Sequence, residues 1–494
     1  MKNFKSIIYC ISLLALLPLG CSKMLDEQPE SFLSPDSFFA TEAQCIQAVN
    51  GAYSGLPTLF GQEDLWKSLE VGTDLMISTA PTEIHQDYSF SAGNAGSVQG
   101  IWRKCYDAIN NANLCVTKIE KAPIGTAIKN RLVGEAKYLR AMHYFFLTNT
   151  FGDVPMWTGE FDFTKISTLP RSSVAAVRAQ MKADLLDASN VLPPSYGAAD
   201  VGRATKGAAL GLLAKVYLFD KDWANAQKYA QMVVDGNQYQ LVAFANLFDV
   251  FNKFKNNKES IFEIQYSRNN ATNVNTKIHY YHTWFLPLKD ANGTTYAGVN
   301  FGNTVMRAFE VLYPSAPLVN MFEAGDLRKN VTLATGYNTT TFNRFPKPGR
   351  PWFGAKFWDL ESNDQSSGKD IYFMRYADVL LILAEALNEQ NNPTALTWIN
   401  KVRLEHGGLT TPLSGLDQNG IRDVIMRERA IEFVGEFGRK WDLFRWRKIV
   451  DAVKSVAADN PLGAANVRDF HNLFPIPQAE ILKNPNLNPQ NTGY

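Results

Sequence analysis

Two stretches of the chain read as versions of one helical hairpin, and this repeat constrains the fold more than any other feature. Ala204 to Phe219 is small and apolar, Lys221-Asp222-Trp223 turns it, and Ala224 to Val234 returns with Ala226 and Ala230. Arg375 to Glu389 carries Ala377, Leu380, Leu381, Ala384 and Leu387; after Asn391-Asn392-Pro393 a second arm covers Ala395 to Val402. Small residues on both arms let paired helices approach closely, the physical basis of tetratricopeptide hairpins with a period of about 34 residues. Ordinary hairpins that do not stack are the alternative. Further helical periodicity covers Glu42 to Leu56 behind a Thr41 cap, Ile101 to Ile119, Ala127 to Thr150, Ser172 to Asn190 and Gly420 to Val456. The expectation is an all-α fold of tetratricopeptide-like helix pairs.

Between these scaffolds lies chain of another kind. Residues 267–365 are rich in Asn, Gly, Thr, Pro and aromatics, with little helical period. The stretch is far longer than an ordinary connection, so it is expected to form an irregular layer over the helices. Residues 77–98 read as a shorter version. Long loops on a rigid base are where binding residues collect.

The N-terminus reads as a targeting segment. Lys2 and Lys5 precede an apolar stretch from Ile7 to Leu17, which closes on Leu17-Pro18-Leu19-Gly20-Cys21. That run is too short to span a hydrocarbon core of about 30 Å. It resembles a bacterial lipoprotein signal in which Cys21 becomes the lipidated first residue; a plain secretory signal is the alternative. Cys105 and Cys115 fall in one predicted helix, about 15 Å apart, whereas a disulfide needs Cα atoms within about 7 Å. No CxxC occurs, so structural zinc and a disulfide framework are not expected. A net charge of +1 without long like-charged runs argues against a broad nucleic-acid surface.

No catalytic motif emerges: GxSxG, HExxH, the phosphate-binding GxxxxGK[ST] and a post-strand GxGxxG are all absent. His279 and His282 form the single close histidine pair and would need further ligands to hold a metal, so no metal and no cofactor are expected. The densest acidic group, Glu428, Glu432, Glu436 and Asp442, is interleaved with Arg427, Arg429, Arg439 and Lys440, and reads as a salt-bridge network. A glycoside hydrolase would need two carboxylates at a set separation, which spacing alone does not show. Aromatics suggest binding instead. Rings stack on the apolar faces of sugars while amides, carboxylates and Arg bond the hydroxyls. The irregular layer supplies Tyr280, Tyr281, Trp284, Tyr296, Phe301, Trp352, Phe353 and Trp358, whereas Trp102, Trp223, Trp398 and Trp441 lie in helices and are assigned to the core.

The opening carries Leu25-Asp26, Pro35-Asp36-Ser37-Phe38-Phe39 and Ala48-Val49-Asn50-Gly51-Ala52-Tyr53. Glu135-Ala136-Lys137-Tyr138-Leu139-Arg140-Ala141 leads to Phe151-Gly152-Asp153-Val154-Pro155, and Arg203-Ala204-Thr205-Lys206 opens the central hairpin. Tyr376-Ala377-Asp378-Val379-Leu380-Leu381, Glu428-Arg429, Gly438-Arg439-Lys440-Trp441-Asp442-Leu443, Arg445-Trp446, Phe474-Pro475-Ile476-Pro477 and Gly493-Tyr494 follow in order. Together these motifs resemble the SusD/RagB family of Bacteroidetes outer-membrane lipoproteins. The resemblance implies a signal over residues 1–20, a helical region over 21–266, a ligand-facing loop layer over 267–365 and a C-terminal helical region over 366–494. It implies a non-catalytic glycan-binding subunit, lipid-anchored through Cys21 on the outer face of the outer membrane and seated on a SusC-like TonB-dependent transporter. Peptide capture by the same architecture is the alternative. By position, Trp284, Tyr296 and Tyr88 are the expected stacking rings, with Asp74, Gln86, Asp87 and Asn300 for polar contacts and Trp352 as a further ring.

Overall fold

A computed structural model of the chain describes residues 38–80, 83–267, 279–302, 306–308, 312–362 and 366–494. Cys21 and the targeting segment lie outside these residues. The first long helix, α1 (Glu42–Tyr53), starts at a capping box: Thr41 Oγ1 accepts from Gln44 N, and the Gln44 side chain accepts from Thr41 N. Two of the donors that a helix start leaves open are thereby satisfied.

The scaffold continues through α2 (Val98–Ile119), α3 (Thr126–Phe151), α4 (Val174–Val191), α5 (Lys206–Phe219), α6 (Trp223–Asp235), α7 (Tyr376–Glu389) and α8 (Ala395–Glu405). Each of these, from α2 onward, packs on the next. The hairpins read from the sequence are α5/α6 and α7/α8, and they stack through the contact of α6 with α7. Asp222 caps α6 by accepting from Asn225 N at 3.2 Å. Small residues do what the pattern requires: a Cβ at Gly211 would lie 2.6 Å from the Met374 sulfur. One continuous buried core runs from Phe39 to Leu487, so the scaffold and the loop layer share an interior.

Four short strands pin the irregular segments. β1 (Met76–Ser78), β2 (Ser260–Ile264), β3 (Leu312–Pro314) and β4 (Ile371–Arg375) form two antiparallel pairs, β1 with β3 and β2 with β4. The registers include Ile77 opposite Tyr313 and Ile264 opposite Ile371. β4 runs directly into α7, which ties the loop layer to the second hairpin.

The helix expected over Gly420 to Val456 is instead three helices: α9 (Gln418–Phe433), α10 (Arg439–Arg445) and α11 (Ile449–Ser455). Gly435 and Phe437 take φ of 78° and 61°, which no α-helix contains. The Glu70 carboxylate accepts the N–H groups of Gly435 at 3.2 Å, Gly438 at 2.8 Å and Arg439 at 3.2 Å. A distant side chain thus takes the place of the helix's own acceptors. Burial pushes the Glu70 carboxyl up to about 7, against the pull of those N–H bonds. Cys45, Cys105 and Cys115 are free and buried, the last two both on α2.

Candidate ligand-binding face

The loop from Glu70 to Tyr88 is fixed by groups that each have a local task. Gln86 clamps Ser78 from both sides, its Oε1 accepting from Ser78 N at 2.6 Å and its Nε2 donating to Ser78 O at 3.2 Å. Tyr88 ends the short helix Ile84–Asp87 in a left-handed conformation, φ 53°, and its hydroxyl donates to Gly72 O at 3.1 Å. The Lys440 ammonium sits 5.1 Å from the Tyr88 ring and donates to His85 O at 3.2 Å. Burial draws Lys440 down to about 7, with Glu83 and Glu70 opposing. Asp74 is buried and paired through both oxygens with Arg439. Asp87 is half-buried, and its carbonyl accepts from Asn466 at 2.9 Å. Asp74, Gln86, Asp87 and Tyr88 therefore gather against α10 and the C-terminal segment.

Trp284 belongs to a second group. Its ring lies 4.8 Å from that of Trp66, centroid to centroid, and the Lys67 ammonium stands 5.0 Å from it. Lys67 also pairs with Glu63 at 2.7 Å and with Glu83 at 3.5 Å. That pairing joins the two loop segments.

Tyr296, Asn300 and Trp352 form a third group. The Tyr296 hydroxyl donates to Met306 O, and Trp352 Nε1 donates to Arg344 O at 2.8 Å. Asn300 is exposed, its Oδ1 accepting from Gly302 N at 2.7 Å. Asn343 N donates to Ala297 O at 2.8 Å, and Arg344 reaches Asp290 at 4.0 Å. These contacts hold Asn343 and Arg344 against the segment that carries Asn300, and Asn300, Asn343, Arg344 and Phe345 are all exposed. Phe345 is 40% exposed, a ring in open solvent that the sequence reasoning missed. Its run, Asn343-Arg344-Phe345, is an amide, a guanidinium and a ring in succession.

The rings expected to form an open platform are spent on packing. Tyr88, Trp284, Tyr296 and Trp352 are 4%, 9%, 1% and 1% exposed. A ring whose faces are covered by protein has none to offer a sugar in this conformation. Each had a partner that spacing could not reveal, such as His471 at 5.2 Å from Tyr88. Of the eight expected residues, Asn300 is exposed and Asp87 half-buried, and the other six, Trp284 among them at 9%, are buried. Among the helix rings, Trp102 and Trp441 are buried, while Trp223 and Trp398 are half-buried.

The acidic cluster is an ion-pair network. Arg375 bonds Glu259 at 2.6 Å, Glu432 at 2.9 Å and Glu436 at 2.8 Å. Arg328 meets Glu428 at 2.9 Å and Glu432 at 3.2 Å, and Asp442 is held by Arg429 and Arg445, both at 2.8 Å. Glu259, His406 and Glu432 converge closely enough to suggest a metal. Their chemistry says otherwise: each His406 nitrogen faces a carboxylate, at 2.9 and 2.8 Å, so both carry protons. Although burial opposes it, the two glutamates hold His406 up to about 9. His279 likewise uses both nitrogens, accepting from Tyr281 N at 3.0 Å and meeting Lys369 O at 2.7 Å.

A scaffold of stacked helix pairs under a strand-pinned loop face defines the class of protein. Residues 329–494 match the family model described as "SusD family", and residues 23–218 match "Starch-binding associating with outer membrane". The SusD-like protein P2 of Formosa agariphila is 30% identical over 532 residues, covering 100% of both chains. A SusD homologue of Bacteroides thetaiotaomicron superposes with a TM-score of 0.79 at 24% identity, covering 93% of this chain and 98% of its own. A structure titled "Laminarin binding SusD-like protein" gives 0.76 at 23% identity, covering 92% and 100%. The chain belongs to the SusD family. Among the described residues no helix is long and apolar enough to cross a membrane.

Proposed function

We propose that this chain is a non-catalytic glycan-binding lipoprotein of the outer membrane, anchored through Cys21 and delivering oligosaccharide to a SusC-like TonB-dependent transporter. The observation that carries the reading is the end-to-end match to the family, in which one model is named for starch binding and similar solved structures for laminarin and surface-glycan binding. The carboxylates of the acidic cluster support the non-catalytic part, because each is committed to a cation. In this reading the layer over 267–365 faces the ligand. Asn300, Arg344 and Phe345 make the polar and stacking contacts there, Asp87 lies on the neighbouring loop, and Trp284 contributes the 9% of its surface that stays exposed. Tyr88, Tyr296, Trp352, Asp74 and Gln86 hold the face in shape.

Calorimetric titration of the chain from Ser22 onward with laminarin and other polysaccharides, and with their oligomers, tests the reading. Binding to at least one saccharide is expected, weakened at least fivefold by Arg344→Ala or Phe345→Ala. Tight binding of an oligopeptide with no saccharide competition would replace glycan with peptide. Labelled palmitate incorporation lost in Cys21→Ser, and co-purification with a TonB-dependent barrel, test the anchor and the partner.

A further inference from the structure

A cavity lies away from the loop face, between the α5/α6 turn and the helices α7, α9 and α10. Its volume is about 250 Å³, and no residue of the loop layer lines it. Two indoles, Trp223 and Trp446, line it together with Leu218, Ile425 and Met426. Five cations line it as well, against two carboxylates.

The carboxylates are already matched. Glu389 pairs with both arms of Arg422, at 2.6 and 2.7 Å, and Glu385 with both arms of Arg445, at 2.5 and 2.8 Å. Lys448 reaches the exposed Asp451 at 3.2 Å. That leaves Lys221 and Arg447, which are exposed and make no ion pair among the described residues. Both take left-handed backbone conformations, φ 58° each, in the turns after α5 and α10. Long side chains seldom adopt that region. Here it places two free cations beside a partly apolar, indole-lined hollow.

We propose that this cavity binds an acidic saccharide residue, a sugar ring bearing a carboxylate or a sulfate ester. Half-buried indoles offer the flat apolar surface a pyranose ring packs on, and the unmatched cations supply the charge its substituent needs. The Arg445 guanidinium lies 4.4 Å from the Trp446 ring centroid, which adds positive charge to that wall. A cation after a helix C-terminus also favours the helix dipole, but that accounts for neither the indoles nor the excess of charge at one hollow. The site stands apart from the loop-face reading.

The test uses the chain from Ser22 onward, titrated at low salt with trigalacturonate and with a sulfated disaccharide while tryptophan fluorescence is followed. The variant is Lys221→Asn with Arg447→Asn, since Asn tolerates a positive φ and keeps the turns. Expected are saturable binding of at least one acidic probe, a Kd at least tenfold higher in the double variant, and a fluorescence response lost in Trp223→Leu. Laminarin oligomer affinity should be the same in wild type and double variant, and its absence in both would count against the loop-face reading alone. The proposal is overturned by no binding of either probe at millimolar concentration, by equal Kd in wild type and double variant, or by tighter binding of triglutamate than of trigalacturonate.

Discussion

Asp74 and Arg439 meet fork to fork, Nε to Oδ1 at 2.9 Å and Nη2 to Oδ2 at 2.5 Å, and so join the loop before β1 to the first turn of α10. Both are buried, which makes the pair a structural joint rather than a ligand contact. Removing one partner leaves a buried charge uncompensated, at a cost of about 3–5 kcal/mol. Asp74→Ala is expected to lower unfolding stability by that amount in urea titration. The folded fraction should keep its glycan Kd within twofold.

The opposite outcome is expected on the open edge. Asn300 and Arg344 are exposed, so Asn300→Ala and Arg344→Ala should change stability by no more than about 0.5 kcal/mol. Both should weaken glycan binding. Trp284→Ala is expected to do both, because its ring is 9% exposed and packs on Trp66. Emptying such a site costs roughly 3–5 kcal/mol. Calorimetry alongside denaturant melts separates the two classes of residue.

The helices were legible because their apolar residues recur with the period of the element they form. The starts read at Glu42, Ala204 and Ala224 lie within two residues of the observed ones, where Thr41, Thr205 and Asp222 are the caps. The break after Phe433 was not legible, because its cause, Glu70, lies more than three hundred residues earlier in the chain. The same limit governed the site. Tyr88 and Trp352 look alike as loop aromatics, and the partners that hold them, the His471 ring and the Arg344 carbonyl, are supplied by the tertiary fold. The network around Glu428 and Glu432 was readable in kind, since alternating charges one turn apart imply pairing. Most of its cations, Arg328, Arg375, Arg403 and His406, come from other elements, while Arg427 on the same helix reaches Glu428 at 3.5 Å.

His143 is fully buried on α3, and burial draws its imidazole down to about 4. The unfolded chain takes up a proton there below about 6.5, whereas the folded chain resists until about 4. Stability is therefore lost as pH falls from 6.5 to 4, by up to roughly 3 kcal/mol from this residue alone. Both ring nitrogens lack hydrogen-bond partners among the described residues, so an apolar replacement forfeits no bond. His143→Leu should flatten the acid limb of a stability-against-pH curve. An unchanged limb would assign the acid sensitivity to other groups.

His406 carries the reverse sign. Burial opposes its charge, but Glu432 and Glu259 raise it to about 9, above the unfolded value of about 6.5. Its contribution is fully present below pH 6.5 and is lost as pH rises through 9, by up to roughly 3 kcal/mol. Lys440 and Lys369, drawn down to about 7 and about 8 chiefly by burial, act oppositely in the same window: the folded chain releases their protons first, so they favour folding as pH rises. Total stability therefore mixes the two signs, and the informative quantity is the difference between wild type and His406→Gln. The variant is expected to be less stable at pH 6, where it loses the bridge between Glu259 and Glu432. That deficit should shrink steadily toward pH 9.5, where the wild-type imidazole has itself lost its proton. A deficit constant across pH 6 to 9.5 in urea titrations would mean that His406 is neutral in the folded chain and that Arg375 alone holds the two carboxylates together.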